Sequence, residues 1–148
     1  MSLLAAMRKL FHQQLLELRT WYRRRNALGP RGERFAASYL RWKKGMYIIE
    51  ASARNIYGEI DIIAADRKKE RVIFIEVKTR TSHDRGHPAE AVTSEKQRKI
   101  SKIALAYMKR NALLDSCSVR FDVIAITWPP DQKPTLEHYE NAFEAVGV

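Results

Sequence analysis

The order of elements legible in the sequence predicts an α/β domain: a helix, three antiparallel strands, a second helix and a fourth strand, forming a mixed central sheet flanked by helices. Three observations carry this expectation. Apolar runs rich in isoleucine and valine lie at 47–53, 59–65 and 71–79, separated by short turn signals at 55–58 and 66–70, the pattern of a meander. Helical periodicity flanks the runs, over 31–44 before them and from 94 onward after them. The next strand-like run, 119–126, is reached through a helix, and such a crossover returns the chain parallel to the strand it left.

Taken in order, residues 1–28 read as a basic amphipathic helical extension to a main domain at 29–148. Leu3, Met7, Leu10, Phe11, Leu18, Trp21 and Tyr22 recur near helical period, and Arg19, Arg23, Arg24 and Arg25 crowd the end. Such a helix can dock on the domain, pair with a partner, rest on a membrane surface or touch phosphates, and its acid-poor, arginine-rich make-up is also that of a mitochondrial presequence. Gly29-Pro30 is expected to break it and mark the boundary. In the 31–44 helix the apolar face comprises Ala36, Ala37 and Leu40, with Phe35 and Tyr39 beside it; Glu33 lies three, four and seven residues before the first three and so points inward. Alone, a first-turn glutamate also reads as a helix-dipole residue.

The strands hold an anomaly. Asp61 sits in Gly58-Glu59-Ile60-Asp61-Ile62-Ile63, and Glu76 and Lys78 sit in Val72-Ile73-Phe74-Ile75-Glu76-Val77-Lys78, runs that otherwise read as buried. An unpaired buried carboxylate costs several kcal/mol, comparable to the net stability of a small domain, so a cation or a hydrogen-bond network must compensate it. With a short turn at 66–70, the start of the second strand pairs with the end of the third, which brings Asp61 to Glu76 and Lys78. A cross-strand Asp61–Lys78 ion pair is the purely structural alternative.

The polar loop 80–88 follows, with His83 and His87 that read as exposed loop residues rather than ligands. Ser94-Glu95-Lys96-Gln97 looks like a capping box opening a helix whose face is Ile100, Ile103, Ala104, Tyr107 and Met108. Lys96, one turn before that face, reads either as a solvated lysine or as a group reaching the site or a phosphate. Asp122, inside the fourth strand, is a further acid of the site or the partner of an arginine such as Arg120 or Arg54. The strand stops at Trp128-Pro129-Pro130, and the tail is expected to add a short strand near 135–139 and a last turn of helix, with nothing catalytic in it.

Composition narrows the function classes. The 148 residues, 45% hydrophobic and 30% charged, suit a domain with a real core, and 27 basic against 17 acidic residues leave a net charge of +10 that attracts polyanions. Nucleic acid or an anionic membrane surface is the expected partner class. One cysteine, Cys117, excludes an internal disulfide, and no Cys/His cluster has zinc spacing, so a cytoplasmic setting is expected. No run has the length of an integral membrane helix, residues 1–28 lack the apolar core of a secretion signal, and no phosphate loop or nucleophile elbow is present.

Glu33, Gly58-Glu59-Ile60-Asp61 and Glu76-Val77-Lys78-Thr79-Arg80, in this order and with fifteen residues from Asp61 to Glu76, resemble the PD-(D/E)xK nuclease superfamily, which includes restriction endonucleases and archaeal-type Holliday junction resolvases. Gly32-Glu33, Ala37, Tyr39-Leu40, the two strand motifs, Ala91-Val92, Lys96, Arg120-Phe121-Asp122 and Asn141-Ala142-Phe143 are similar to the YraN family of bacterial endonuclease-like proteins, over about 31–143. Two positions depart: Ser52 stands where that family usually has asparagine, and Ile60 replaces the superfamily's proline before the aspartate.

The resemblance implies a restriction-endonuclease-like αβββαβ core and Mg²⁺-dependent hydrolysis of DNA phosphodiester bonds, with Mn²⁺ able to substitute, on structured or branched DNA in repair or recombination. It implies Asp61, Glu76 and a backbone carbonyl near Val77 as metal ligands, Glu33 supporting a second ion or orienting water, and Lys78 acting on the attacking water and the developing charge. Arg54, Arg80 and Lys96 are the implied phosphate contacts, and a homodimer is an open option. Two rival classes stand beside this: a non-cleaving nucleic-acid-binding protein of the same fold, and a membrane-surface or scaffold protein acting through the leader helix.

Overall fold

In the computed structural model, which describes residues 27–82, 86 and 92–148, a helix α1 (Leu28–Trp42) leads into β1 (Tyr47–Asn55), β2 (Gly58–Asp66) and β3 (Arg71–Arg80), followed by α2 (Ser94–Arg110), β4 (Ser118–Thr127) and β5 (Thr135–Phe143). The five strands form one sheet in the order β1-β2-β3-β4-β5. All neighbours are antiparallel except β3 and β4, which run parallel, as a strand returning through a helical crossover must. The α-β-β-β-α-β order is therefore present, with β5 added at the edge. The leader helix expected over 1–28 lies almost wholly outside the described residues.

Each helix covers one face of the sheet. Ala36 and Leu40 of α1 pack on Ile62, Ala64, Ile73, Ile75, Ile124 and Ile126, while Ile100, Ile103, Ala104, Tyr107 and Met108 of α2 pack on Ile63, Phe74, Phe121 and Val123. Since β3 and β4 are buried on both faces, their sequences read as continuous apolar runs rather than alternating ones.

Three expectations are corrected. The first helix begins at Leu28 rather than Arg31, with Gly29-Pro30 in its first turn, where a proline is tolerated because the first N–H groups of a helix have no intrahelical partner. The cap of α2 is Thr93, not Ser94: the Thr93 side chain accepts the Lys96 N–H at 3.3 Å, which counts Lys96 into the first turn. The tail forms no helical turn; β5 runs on to Phe143 because Phe143 pairs with and stacks on Phe121, ring centroids 4.9 Å apart.

Gly32 fixes how closely α1 approaches the sheet. It is buried, and a Cβ there would stand 1.8 Å from Thr79 Oγ1 and 2.9 Å from Thr79 Cβ on β3. Gly32→Ala is expected to lower stability by about 1–3 kcal/mol, as overpacked sites do, in a denaturant melt. A companion Thr79→Ala should recover only part of this, because the threonine Cβ position stays occupied.

Candidate functional site

Five chain ends converge at one end of the sheet: the start of α1, the end of β1, the start of β2, the end of β3 and the start of α2. The crossover requires part of this, since a helix following β3 begins where β3 ends, and antiparallel pairing puts the start of β2 beside the end of β3. Ile62↔Ile75 is the last ladder pair of that hairpin before Asp61 and Glu76. Beyond it Asp61 turns from an ordinary strand position, because Ile60 belongs to the α2-side core and Ile62 to the α1-side core. Its Oδ2 accepts the Val77 N–H at 2.7 Å, so a side chain takes a bond of the kind the ladder would otherwise make.

Ser52 is the counterpart of this irregularity on β1. The pairs Ala51↔Ile62 and Ala53↔Ile60 set Ser52 opposite Asp61, and Ser52 has φ +51°, the left-handed conformation that asparagine adopts more readily than most residues. Its hydroxyl donates to Glu33 Oε2 at 3.3 Å. Sequence reasoning missed Ser52; its only signal was the asparagine implied there by the YraN-like pattern.

Glu76 is the most enclosed acid of the group, 3% exposed. Its Oε1 is held by Lys78 Nζ at 2.7 Å and Lys96 Nζ at 3.1 Å, while its Oε2 is buried without a hydrogen-bond partner. The Asp61–Lys78 ion pair does not form, and Lys78 pairs with Glu76 instead. Asp61 is pushed up to about 7, first by burial and then by the negative charge of Glu76 and, more weakly, Glu33; the Val77 N–H and Lys96 oppose the rise.

The structure thus brings together Glu33, Asp61, Glu76, Lys78 and Lys96. Lys96, in the first turn of α2, is not a freely solvated lysine, because its ammonium reaches Glu76 Oε1. Arg54 stands outside the cluster in a 2.6 Å cross-strand pair with Glu59, and Arg80 Nη1 donates to the Gly86 carbonyl at 3.2 Å. His83 and His87 lie outside the described residues. Asp122 is not in the site: Arg120 and His138 hold it elsewhere in the sheet.

Among the described residues no three His, Cys, Asp or Glu groups form a ready-made metal cage. The expected trio of Glu33, Asp61 and Glu76 is therefore close enough for electrostatic coupling but is not preassembled as ligands. What the donor set offers a hard divalent cation is one buried carboxylate with an orphaned oxygen, Glu76, and one half-buried carboxylate, Asp61, and oxygen-only ligation of this kind suits Mg²⁺ or Mn²⁺. Among the described residues no helix is long and apolar enough to cross a membrane.

Comparison with known proteins adds the family. Residues 32–126, which include every member of the cluster, match the profile of the uncharacterised protein family UPF0102. A UPF0102 protein of Rhodopirellula baltica is 48% identical over 123 residues, covering 82% of this chain and 72% of its own; one of Geobacter metallireducens is 49% identical over 118 residues, covering 80% and 93%. Among solved structures, Pyrococcus furiosus SfsA in complex with Ca²⁺ is 12% identical, covering 74% of this chain and 63% of its own, at a TM-score of 0.37, a likeness too slight to carry an argument. On the profile and these relatives, the chain belongs to the UPF0102 family.

Proposed function

We propose that the protein is a metal-dependent nuclease that hydrolyses DNA phosphodiester bonds at the Asp61–Glu76–Lys78 cluster. The single observation that carries this reading is Glu76: a buried carboxylate with one oxygen gripped by two lysines and the other without a partner. A purely structural ion pair would satisfy both oxygens, since an unmatched buried acceptor costs on the order of 1–3 kcal/mol. The PD-(D/E)xK-like order of Asp61, Glu76 and Lys78, Glu33 on the neighbouring helix and the +10 net charge support it.

On this reading Asp61 and Glu76, with the Val77 carbonyl, would hold Mg²⁺ or Mn²⁺, which when bound would polarise the scissile phosphate and lower the charge on the leaving oxygen. The remaining work belongs to the chain. Lys78 orients the attacking water and donates to the phosphoryl oxygens as negative charge builds on them. Lys96, from the positive end of α2, adds a second ammonium facing the same space. Glu33, kept in orientation by Ser52, accepts from water on the α1 side. Arg54 and Arg80, outside the cluster, would contact phosphates and so position the duplex without reading sequence.

The test is a Mg²⁺/Mn²⁺ cleavage panel on single-stranded, duplex, flap and four-way DNA. Glu76→Gln and Lys78→Ala are expected to lower cleavage by about a hundredfold or more, with DNA affinity within a few-fold of wild type. Equal cleavage by all three proteins would overturn the reading.

A second reading, a DNA-binding protein of the same fold that does not cut, is favoured by one feature: the lysines already neutralise Glu76 Oε1 as a structural network would. Calorimetric titration separates the two, because only the nuclease reading requires divalent-metal binding that Glu76→Gln abolishes.

A further inference from the structure

The β1–β2 hairpin ends in Ile56 and Tyr57, and Ile56 is 90% exposed, with Tyr57 exposed beside it. Asn55 pairs with Gly58, so the loop has only these two residues, and the positive φ of the turn falls on Gly58 rather than on either of them. The turn therefore does not require an apolar pair, and an isoleucine standing in water gains nothing from the fold.

The tip is nevertheless held firmly. Asn55 Oδ1 accepts the Tyr57 N–H at 2.9 Å and its Nδ2 donates to the Ile103 carbonyl of α2 at 3.3 Å. Gly58, at φ +137°, lies against the stem of Lys99 and the end of Ile103; a Cβ there would meet Lys99 Cε at 3.3 Å. The hairpin is thus braced on α2 while its two apolar side chains project beyond it.

The surroundings specify the partner. Gly58 precedes Asp61 by three residues, so the tip extends from the strand that carries the cluster's aspartate. Lys99, whose stem lies against Gly58, and Arg54, whose side chain is 75% exposed and pairs with Glu59, set cationic groups beside it. An apolar tip flanked by cations suits a polyanion with stacked apolar faces, in which phosphates meet the cations and the tip enters between bases.

We propose that the Ile56–Tyr57 tip is a wedge that occupies a break in base stacking, so that the protein prefers nucleic acid with a mismatch, gap or branch to continuous duplex. This rests on the nuclease reading for what happens after binding, but its test does not. Binding is measured without divalent metal by fluorescence anisotropy on a continuous duplex, a duplex with a two-base mismatch and a three-way junction, with 2-aminopurine at the interrupted step.

Wild type is expected to bind the interrupted substrates about tenfold more tightly than duplex and to raise the 2-aminopurine signal. Ile56→Ser with Tyr57→Ser should bring all three affinities to near parity, with duplex affinity and melting temperature unchanged. Parity in wild type, or preference and signal retained in the double variant, would overturn the wedge. So would retained preference accompanied by loss of self-association or of anionic-vesicle binding, which would assign the tip to a second copy or a lipid surface. Asp61→Asn that cuts like wild type while the wedge result holds would refute the nuclease reading alone.

Discussion

Asp61→Asn should make the metal-free protein more stable at pH 8 while removing its metal response. Burial and the charge of Glu76 raise Asp61 to about 7 in the folded protein, against an ordinary 3.8. Below about pH 4 the group is protonated whether folded or not, and its favourable contribution is complete. Between 4 and 7 the folded chain keeps a proton that the unfolded chain has released, so stability falls as pH rises, and by pH 8 the contribution is gone. The ceiling on this loss is about 4 kcal/mol, and on the order of 2 kcal/mol is expected once the site relaxes. Asparagine carries no charge and can still accept from the Val77 N–H, so its melting profile should lack this slope.

The same substitution tests the metal. Protonation of Asp61 competes with cation binding, so Mg²⁺ should raise the melting temperature of the wild type more at pH 8 than at pH 6, by mass action. Asp61→Asn should lose that shift and at least about a thousandfold in cleavage. A merely structural acid would show the pH slope without the metal shift. If the wild type melts highest at pH 8 without metal, or if the asparagine variant keeps the Mg²⁺ shift, Asp61 is not what is proposed.

Asp122→Ala is expected to be the most destabilising single change in the described residues. Asp122 is wholly buried; Arg120 Nε and Nη2 donate to its two oxygens at 2.8 and 2.7 Å, His138 Nε2 lies 2.7 Å from Oδ2, and the Asn141 N–H donates to Oδ1 at 3.0 Å. Burial alone would raise this carboxylate, but the bonds from His138, Arg120 and Asn141 hold it below its ordinary value. Its contribution is thus present above about pH 4 and lost as pH falls through the lowered value.

Removing it strands the Arg120 guanidinium, whose other arm reaches Glu140 at 3.1 Å, itself held by Lys44 at 2.6 Å. Loss of one partner of a buried pair costs about 3–5 kcal/mol, or roughly 10 °C in melting temperature for a domain of this size. The double change Arg120→Met with Asp122→Leu should cost less than Asp122→Leu alone, because it leaves no unpaired buried charge. Equal losses would mean that the guanidinium stays solvated and the network is peripheral.

Much of this protein is legible in its residues alone. Strand and helix order follow from period-two and period-3.6 patterning, which depend on side-chain direction along the chain and need no partner. Asp61, Glu76 and Lys78 stand out because charge in an apolar run is an anomaly of sequence, and a short turn leaves the β2–β3 hairpin little choice of register. Arg120 as a partner for Asp122 is legible for the same reason, two residues apart on one strand face.

Tertiary structure alone decided which group each charge answers. Lys78 turned to Glu76, while Asp61 takes the Val77 N–H instead, a bond that depends on how the two strands part. Lys96 entered the site because α2 starts beside the end of β3, within reach of Glu76, and His138 reached Asp122 only because β5 lies against β4. Local patterning acts over a few residues and is written in the chain itself. The partners of a buried charge are chosen by the distances and dielectric of the assembled core, which no stretch of sequence contains.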